Sequence, residues 1–214
     1  DCCLANGVTP WMTLYHWELP QALEEKDGWQ NSETAAAFSR FAAMMAAHFE
    51  GRVSHFITLN EPQIVLKLGY ADGIHAPGKR LSLPELVSCW KNLMLAHGLS
   101  FRAIRKAAPE ALIGIASTGK LCYPHSPADE DAARQETFRL TDSDWMFTHA
   151  IVLDAVCLGR AEPEAGALRK LLSEVTPEEW DTMHAVPDFI GVNSYNGSEI
   201  AAGPDGAPVY LPRP

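Results

Sequence analysis

The stretch Phe56-Ile57-Thr58-Leu59-Asn60-Glu61-Pro62 constrains the fold most. It reads as a short apolar strand that ends in a carboxylate and is stopped by proline. Proline disfavours the α region for the residue before it, so the sequence predicts an extended Glu61 at the strand's end. A carboxyl group at the C-terminal end of a strand sits where α/β barrels keep their chemistry. Strict alternation along a strand sends Asn60 and Glu61 to opposite faces. Both can serve one site only if the strand bends or bulges at its end.

Strand-like and helix-like stretches alternate through the chain. Residues 8–15 are apolar and β-branched, as expected of a buried parallel strand, and a loop follows to residue 31. Ser32 reads as the N-cap of a helix running to about residue 50, which Gly51 ends. After the strand at 53–60, the sequence predicts a short helix over 62–69 and a loop with three glycines over 70–80. The helix predicted over 83–108 has Ser82 as cap, Pro84 in its first turn and Pro109 as its stop. A strand at 112–117 leads into a loop over 118–128, and helical segments over 129–157 break near Thr141-Asp142-Ser143. Short helices at 168–174 and 178–185, a strand at 189–193 and a turn at Pro204-Asp205-Gly206 complete the pattern. The order is α/β, with connections long enough for parallel crossovers. Periodicity leaves a barrel and a doubly wound sheet both open. No G-x-G-x-x-G or Walker loop occurs, so a nucleotide-binding fold gains no support.

Four ordered stretches carry a resemblance. Thr58-Leu59-Asn60-Glu61-Pro62 resembles the T-x-N-E-P signature of glycoside hydrolase family 1, the β-glucosidase family. The stretch from Thr9 to Pro20 resembles that family's TLYHWDLP strand and loop, with Glu18 where Asp is usual. The stretch from Asn92 to Gly98 resembles its NLLLAHG helix, and that from Asp188 to Tyr195 its DFIGINYY strand, with Ser194 where Tyr is usual. The resemblance runs from about residue 4 to about residue 200. It implies a partial (β/α)8 TIM barrel, α/β in class, whose strands here are roughly the third to sixth of eight.

The same resemblance implies a retaining β-glycosidase acting on a small β-glycoside or oligosaccharide by double displacement, with no cofactor and no metal. Glu61 would be the general acid/base, and Asn60 would bind the sugar 2-hydroxyl. His16 and Trp17 would be the glycone-binding pair. Asn193 would be a substrate-binding residue, and Tyr195 would hydrogen-bond the nucleophile and keep it ionised. Without the family, Glu61 is a solvated glutamate, Asn60 a helix cap and Tyr195 a core aromatic. Tyr70, His75 and Pro77 read as structural, as do Trp90, His97 and Phe101. The family's nucleophile lies in a T-E-N-G strand, and this chain contains none; Glu199 follows Gly197-Ser198 and does not match. The expectation is therefore a single catalytic-domain fragment over 1–214, incomplete at both ends, carrying half of the carboxylate pair and inactive alone. The alternative is a catalytically incomplete barrel that binds a glycan or a protein. Glutamate and not glutamine at position 61 argues against the thioglucosidase branch.

Composition narrows the partners. Net charge is -10, which argues against nucleic acid and against an anionic membrane surface. No apolar run reaches the roughly 18 residues a spanning helix needs. Five cysteines without a C-x-x-C pair read as reduced thiols, which places the chain in the cytoplasm and offers no zinc site. The oligomeric state is left open by the sequence.

Overall fold

A computed structural model describes residues 1–212; Arg213 and Pro214, the end of the turn-rich tail, lie outside the described residues. Four parallel strands form the main sheet in the order β1 (Trp11–Tyr15), β2 (His55–Asn60), β3 (Leu112–Thr118), β5 (Phe189–Asn193). The first crossover is the helix Ser32–His48 and the second the helix Leu83–Ala107. The third carries Glu130–Phe138, Ala150–Leu153, Gly166–Leu172 and Pro177–Met183. Successive parallel strands with helical returns make the arc of a barrel, and all four C-terminal ends open on one side.

The third crossover also holds β4 (Cys122–Pro124), which joins the hairpin of β6 (Ser198–Ala202) and β7 (Pro208–Tyr210) in a second sheet. The hairpin turns through the predicted Pro204-Asp205-Gly206. The sequence predicts a loop where β4 forms. Three residues give no periodicity, and their partner lies more than 70 positions away.

Other boundaries shift for local reasons. β1 begins at Trp11, because Pro10 has no N–H to give the ladder. Asn31, not Ser32, caps the first long helix: its Oδ1 accepts from the Glu33 N–H at 2.9 Å. That helix ends at His48, and the left-handed Gly51 turns the chain three residues later. The segment predicted as one helix over 62–69 starts as Pro62–Ile64 and widens into π-helix over Val65–Ala71. The Ser82 and Thr176 capping boxes form as local sequence dictates.

The two long helices pack on the outer face of the sheet over Trp29, Phe38, Leu59, Trp90, Leu93 and Met94. Trp90 donates its indole N–H to Ile151 O at 2.9 Å. Gly98 lets the Leu83–Ala107 helix meet the Pro177–Met183 helix backbone to backbone; a Cβ there would collide with the Thr182 carbonyl. Next to it His97 is fully buried. Its Nδ1 lies 2.8 Å from Thr58 Oγ1 on β2, and its Nε2 bonds Ala185 O at 3.0 Å. Burial pushes its pKa down to about 4, so it stays neutral and joins helix to strand as packing. No helix among the described residues is long and apolar enough to cross a membrane.

Candidate active site

The ladder between β2 and β3 slips near its end. Ile57 pairs with Gly114, but Asn60 pairs with Ala116, so three steps on β2 face two on β3. This bulge re-aims Asn60, and the backbone at Glu61 brings the next side chain to the same side. Glu61 then departs from the extended conformation predicted for it: φ is 49° and ψ is 60°, in the left-handed region. A left-handed residue with a Cβ costs about 1–2 kcal/mol. Tertiary hydrogen bonds offset that cost and override the local preference. The Glu61 N–H donates to Ala116 O at 2.8 Å, and Asn60 O accepts the Trp17 indole N–H at 3.0 Å.

The side chains then converge. Asn193 Nδ2 donates to Glu61 Oε1 at 2.5 Å and to Asn60 Oδ1 at 3.1 Å. Tyr195 Oη donates to the same Glu61 oxygen at 3.1 Å. His16 Nε2 lies 3.3 Å from Asn60 Nδ2. Trp17 stacks obliquely between the rings of His16 and His75, with centroids 5.2 and 5.5 Å away. All six residues singled out in the sequence thus meet at the C-terminal ends of β1, β2 and β5. β5 is not a neighbour of β2, so the 60–193 contact reports the inward curl of the sheet.

Exposure divides the group. Glu61 is 3% exposed and Asn60 7%, whereas Tyr195 is 81% exposed. Within this chain only the Tyr195 hydroxyl is engaged. Accepting that hydroxyl, the Glu61 carboxylate pushes the Tyr195 phenol above its ordinary range. Glu61 Oε1 takes both donors, and Oε2 has no protein partner among the described residues. A carboxyl with one oxygen fixed and the other free can give or take a proton at a set position. Glu199 is occupied elsewhere, bonded to His125 Nδ1 at 2.9 Å on the second sheet. No group of three potential metal ligands is present among the described residues.

A further polar cluster behind the site went unread in the sequence. Gln63 Nε2 donates to Ser117 Oγ at 2.7 Å and to Thr148 O at 3.3 Å. Ser117 Oγ lies 2.9 Å from His149 Nδ1, and burial holds that imidazole below its usual pKa. The available signal was positional: Gln63 follows Glu61 by two residues, and Ser117 stands at the end of the next strand.

The family model described as "Glycosyl hydrolase family 1" matches residues 1–207. Beta-glucosidase A of Thermotoga maritima is 31% identical over 205 residues, covering 96% of this chain and 45% of that protein. Beta-glucosidase 25 of Oryza sativa subsp. japonica is 36% identical over 220 residues, covering 91% and 41%. Among solved structures, the β-glucosidase from Thermotoga maritima in complex with castanospermine superposes with a TM-score of 0.79 at 30% identity, over 99% of this chain and 46% of that one. The same enzyme in complex with galacto-hydroximolactam gives 0.80 at 30% identity. The chain spans less than half the length of these relatives.

Proposed function

The chain belongs to glycosyl hydrolase family 1, and from that premise we propose that it supplies the acid/base half of a retaining β-glycosidase site. The observation that carries the reading is the Glu61 carboxyl, fixed through Oε1 by Asn193 and Tyr195 at the end of β2, beside an Asn60 amide held between His16 and Asn193.

In the first step Glu61 gives its proton to the glycosidic oxygen as a second carboxylate attacks the anomeric carbon. In the second, the ionised Glu61 takes a proton from the water that opens the glycosyl-enzyme. The two carboxyl groups stand about 5–5.5 Å apart in such enzymes. With no T-E-N-G sequence in these 214 residues, the nucleophile comes from polypeptide outside them, and this chain alone does not turn over. Asn60 would bind the 2-hydroxyl, a bond that tightens in the transition state. His16 and Asn193 line the same glycone, with the Trp17 ring as its wall. Tyr195, whose hydroxyl rests on Glu61 here, would reach the second carboxylate when that residue is present. The substrate class is a terminal β-linked glycoside, in keeping with relatives named β-glucosidases.

The test uses the complete polypeptide that carries this chain and a series of aryl β-glucosides. Glu61→Gln should slow hydrolysis about 10²–10⁴-fold for poor leaving groups, the usual worth of a general acid. Leaving groups that need no proton should lose far less in the glycosylation step. A uniform loss across the series removes Glu61 from proton transfer. Sugar binding by the unsubstituted polypeptide without any turnover would favour a binding-only barrel.

A further inference from the structure

Three non-glycine residues among those described carry positive φ: Trp17, Asp27 and Glu61. Two of them, Trp17 at 83° and Glu61 at 49°, meet across a single peptide group. Parallel pairing of β1 with β2 ends at Tyr15 and Leu59. Beyond it the β1 backbone turns away through His16 and the left-handed Trp17, so no main-chain N–H of β1 continues the ladder. The Trp17 indole does so instead, donating to Asn60 O at 3.0 Å. On the other edge of β2, the Glu61 N–H still donates to Ala116 O of β3 at 2.8 Å. The Asn60–Glu61 peptide is therefore gripped at its carbonyl from one neighbouring strand end and at its N–H from the other.

We propose that Trp17 is a positioning residue, whose indole N–H replaces the missing ladder donor and clamps the Asn60–Glu61 peptide in the one orientation that keeps Glu61 left-handed with its carboxyl on Asn193 and Tyr195. Pro62 supplies the opposing tendency. It favours an extended residue before it, so an unclamped Glu61 swings out of the left-handed region. Its carboxyl then leaves the two donors. The indole N–H, spent on Asn60 O, has no hydrogen left for a sugar hydroxyl; the ring face and edge remain. The catalytic weight of the clamp rests on the acid/base reading of Glu61. Its existence does not.

Tyr195 reports on the clamp, because the Glu61 carboxylate raises its phenol pKa and the tyrosine is otherwise exposed. The experiment is a pH titration of ¹³Cζ-labelled tyrosine by NMR in this chain, in Trp17→Phe and in Glu61→Gln. Glu61→Gln fixes the Tyr195 midpoint without the carboxylate. Trp17→Phe should bring the midpoint most of the way down from the parent value to that reference. A Trp17→Phe midpoint equal to the parent's overturns the clamp. Equal midpoints in the parent and in Glu61→Gln also overturn it, since Tyr195 would then not touch Glu61. If Trp17→Phe does not fold, the benzothiophene isostere of the Trp17 side chain keeps the ring and deletes only the N–H, with the same outcomes. Absence of hydrolysis by the complete polypeptide, with the Tyr195 shift intact, sinks the acid/base reading and leaves the clamp standing.

Discussion

β2 carries two histidine-bearing polar groups, and they differ in kind. On its outer face Thr58 meets His97, with both imidazole nitrogens bonded, full burial and no left-handed residue. At its C-terminal end Asn60 and Glu61 meet His16, Asn193 and Tyr195 across a bulge and a left-handed residue, and one carboxyl oxygen has no protein partner among the described residues. The first group satisfies every valence and holds the Leu83–Ala107 helix to the sheet. The second spends conformational strain and leaves one carboxyl oxygen without a protein partner among the described residues. Strain is tolerated where neighbours over-determine it, and it collects at functional sites. The same strand thus separates packing from the proposed site within three residues.

Substitutions that exchange the two behaviours would break this contrast. The largest expected effect is on the active end: Glu61→Gln should cost the complete polypeptide two or more orders of magnitude with poor leaving groups, yet shift the urea midpoint of this chain little, because the amide keeps the shape and an acceptor oxygen. His97→Ala should do the reverse. It opens a cavity and strands Thr58 and the Ala185 carbonyl, so equilibrium urea unfolding should lose about 3 kcal/mol. A His97→Ala chain as stable as the parent would remove the packing role.

A pH experiment sharpens the contrast. The folded-state pKa of His97, pushed to about 4 by burial, lies below its unfolded value of 6.5. The unfolded chain therefore binds the proton more readily. Stability from this group is full above about pH 6.5 and is lost as pH falls towards about 4, by about 3 kcal/mol at most. The acid limb of a stability–pH curve should flatten in His97→Gln. The smallest effect lies away from both groups. Lys120, just beyond β3, pairs at 2.6 Å with Glu136 and Asp144 and ties the second sheet's helix to the main sheet. With Glu136 nearly buried, Lys120→Met should cost about 1–2 kcal/mol. Loss of under a few tenths would show that this tether is solvent-screened.

What was legible in the sequence follows the range of the cause. The strand at Phe189–Asn193 and the helix cap at Ser82 are set by residues a few positions apart, and they stand where the sequence puts them. The family resemblance gathered His16, Trp17, Asn60, Glu61, Asn193 and Tyr195 into one site, and the fold brings them together. The conformation of Glu61 was not legible. Local chemistry asks for an extended residue before proline, and the left-handed state is imposed by Trp17 and Ala116, 44 and 55 positions away in sequence. The exposure of Tyr195 and the three-residue β4 also depend on distant partners. Strict alternation requires a bend or bulge for a shared face, and the slip between Ile57 and Asn60 followed by the left-handed Glu61 supplies it.

The most direct test of Glu61 as acid/base is chemical rescue. In the complete polypeptide, Glu61→Ala removes the carboxylate that would activate water but leaves the space it filled. With an activated aryl β-glucoside and added azide, turnover should recover and the product should be the β-glycosyl azide, formed with retention. Recovery without that product, or no response to azide in a variant that still forms the glycosyl-enzyme, would contradict the assignment.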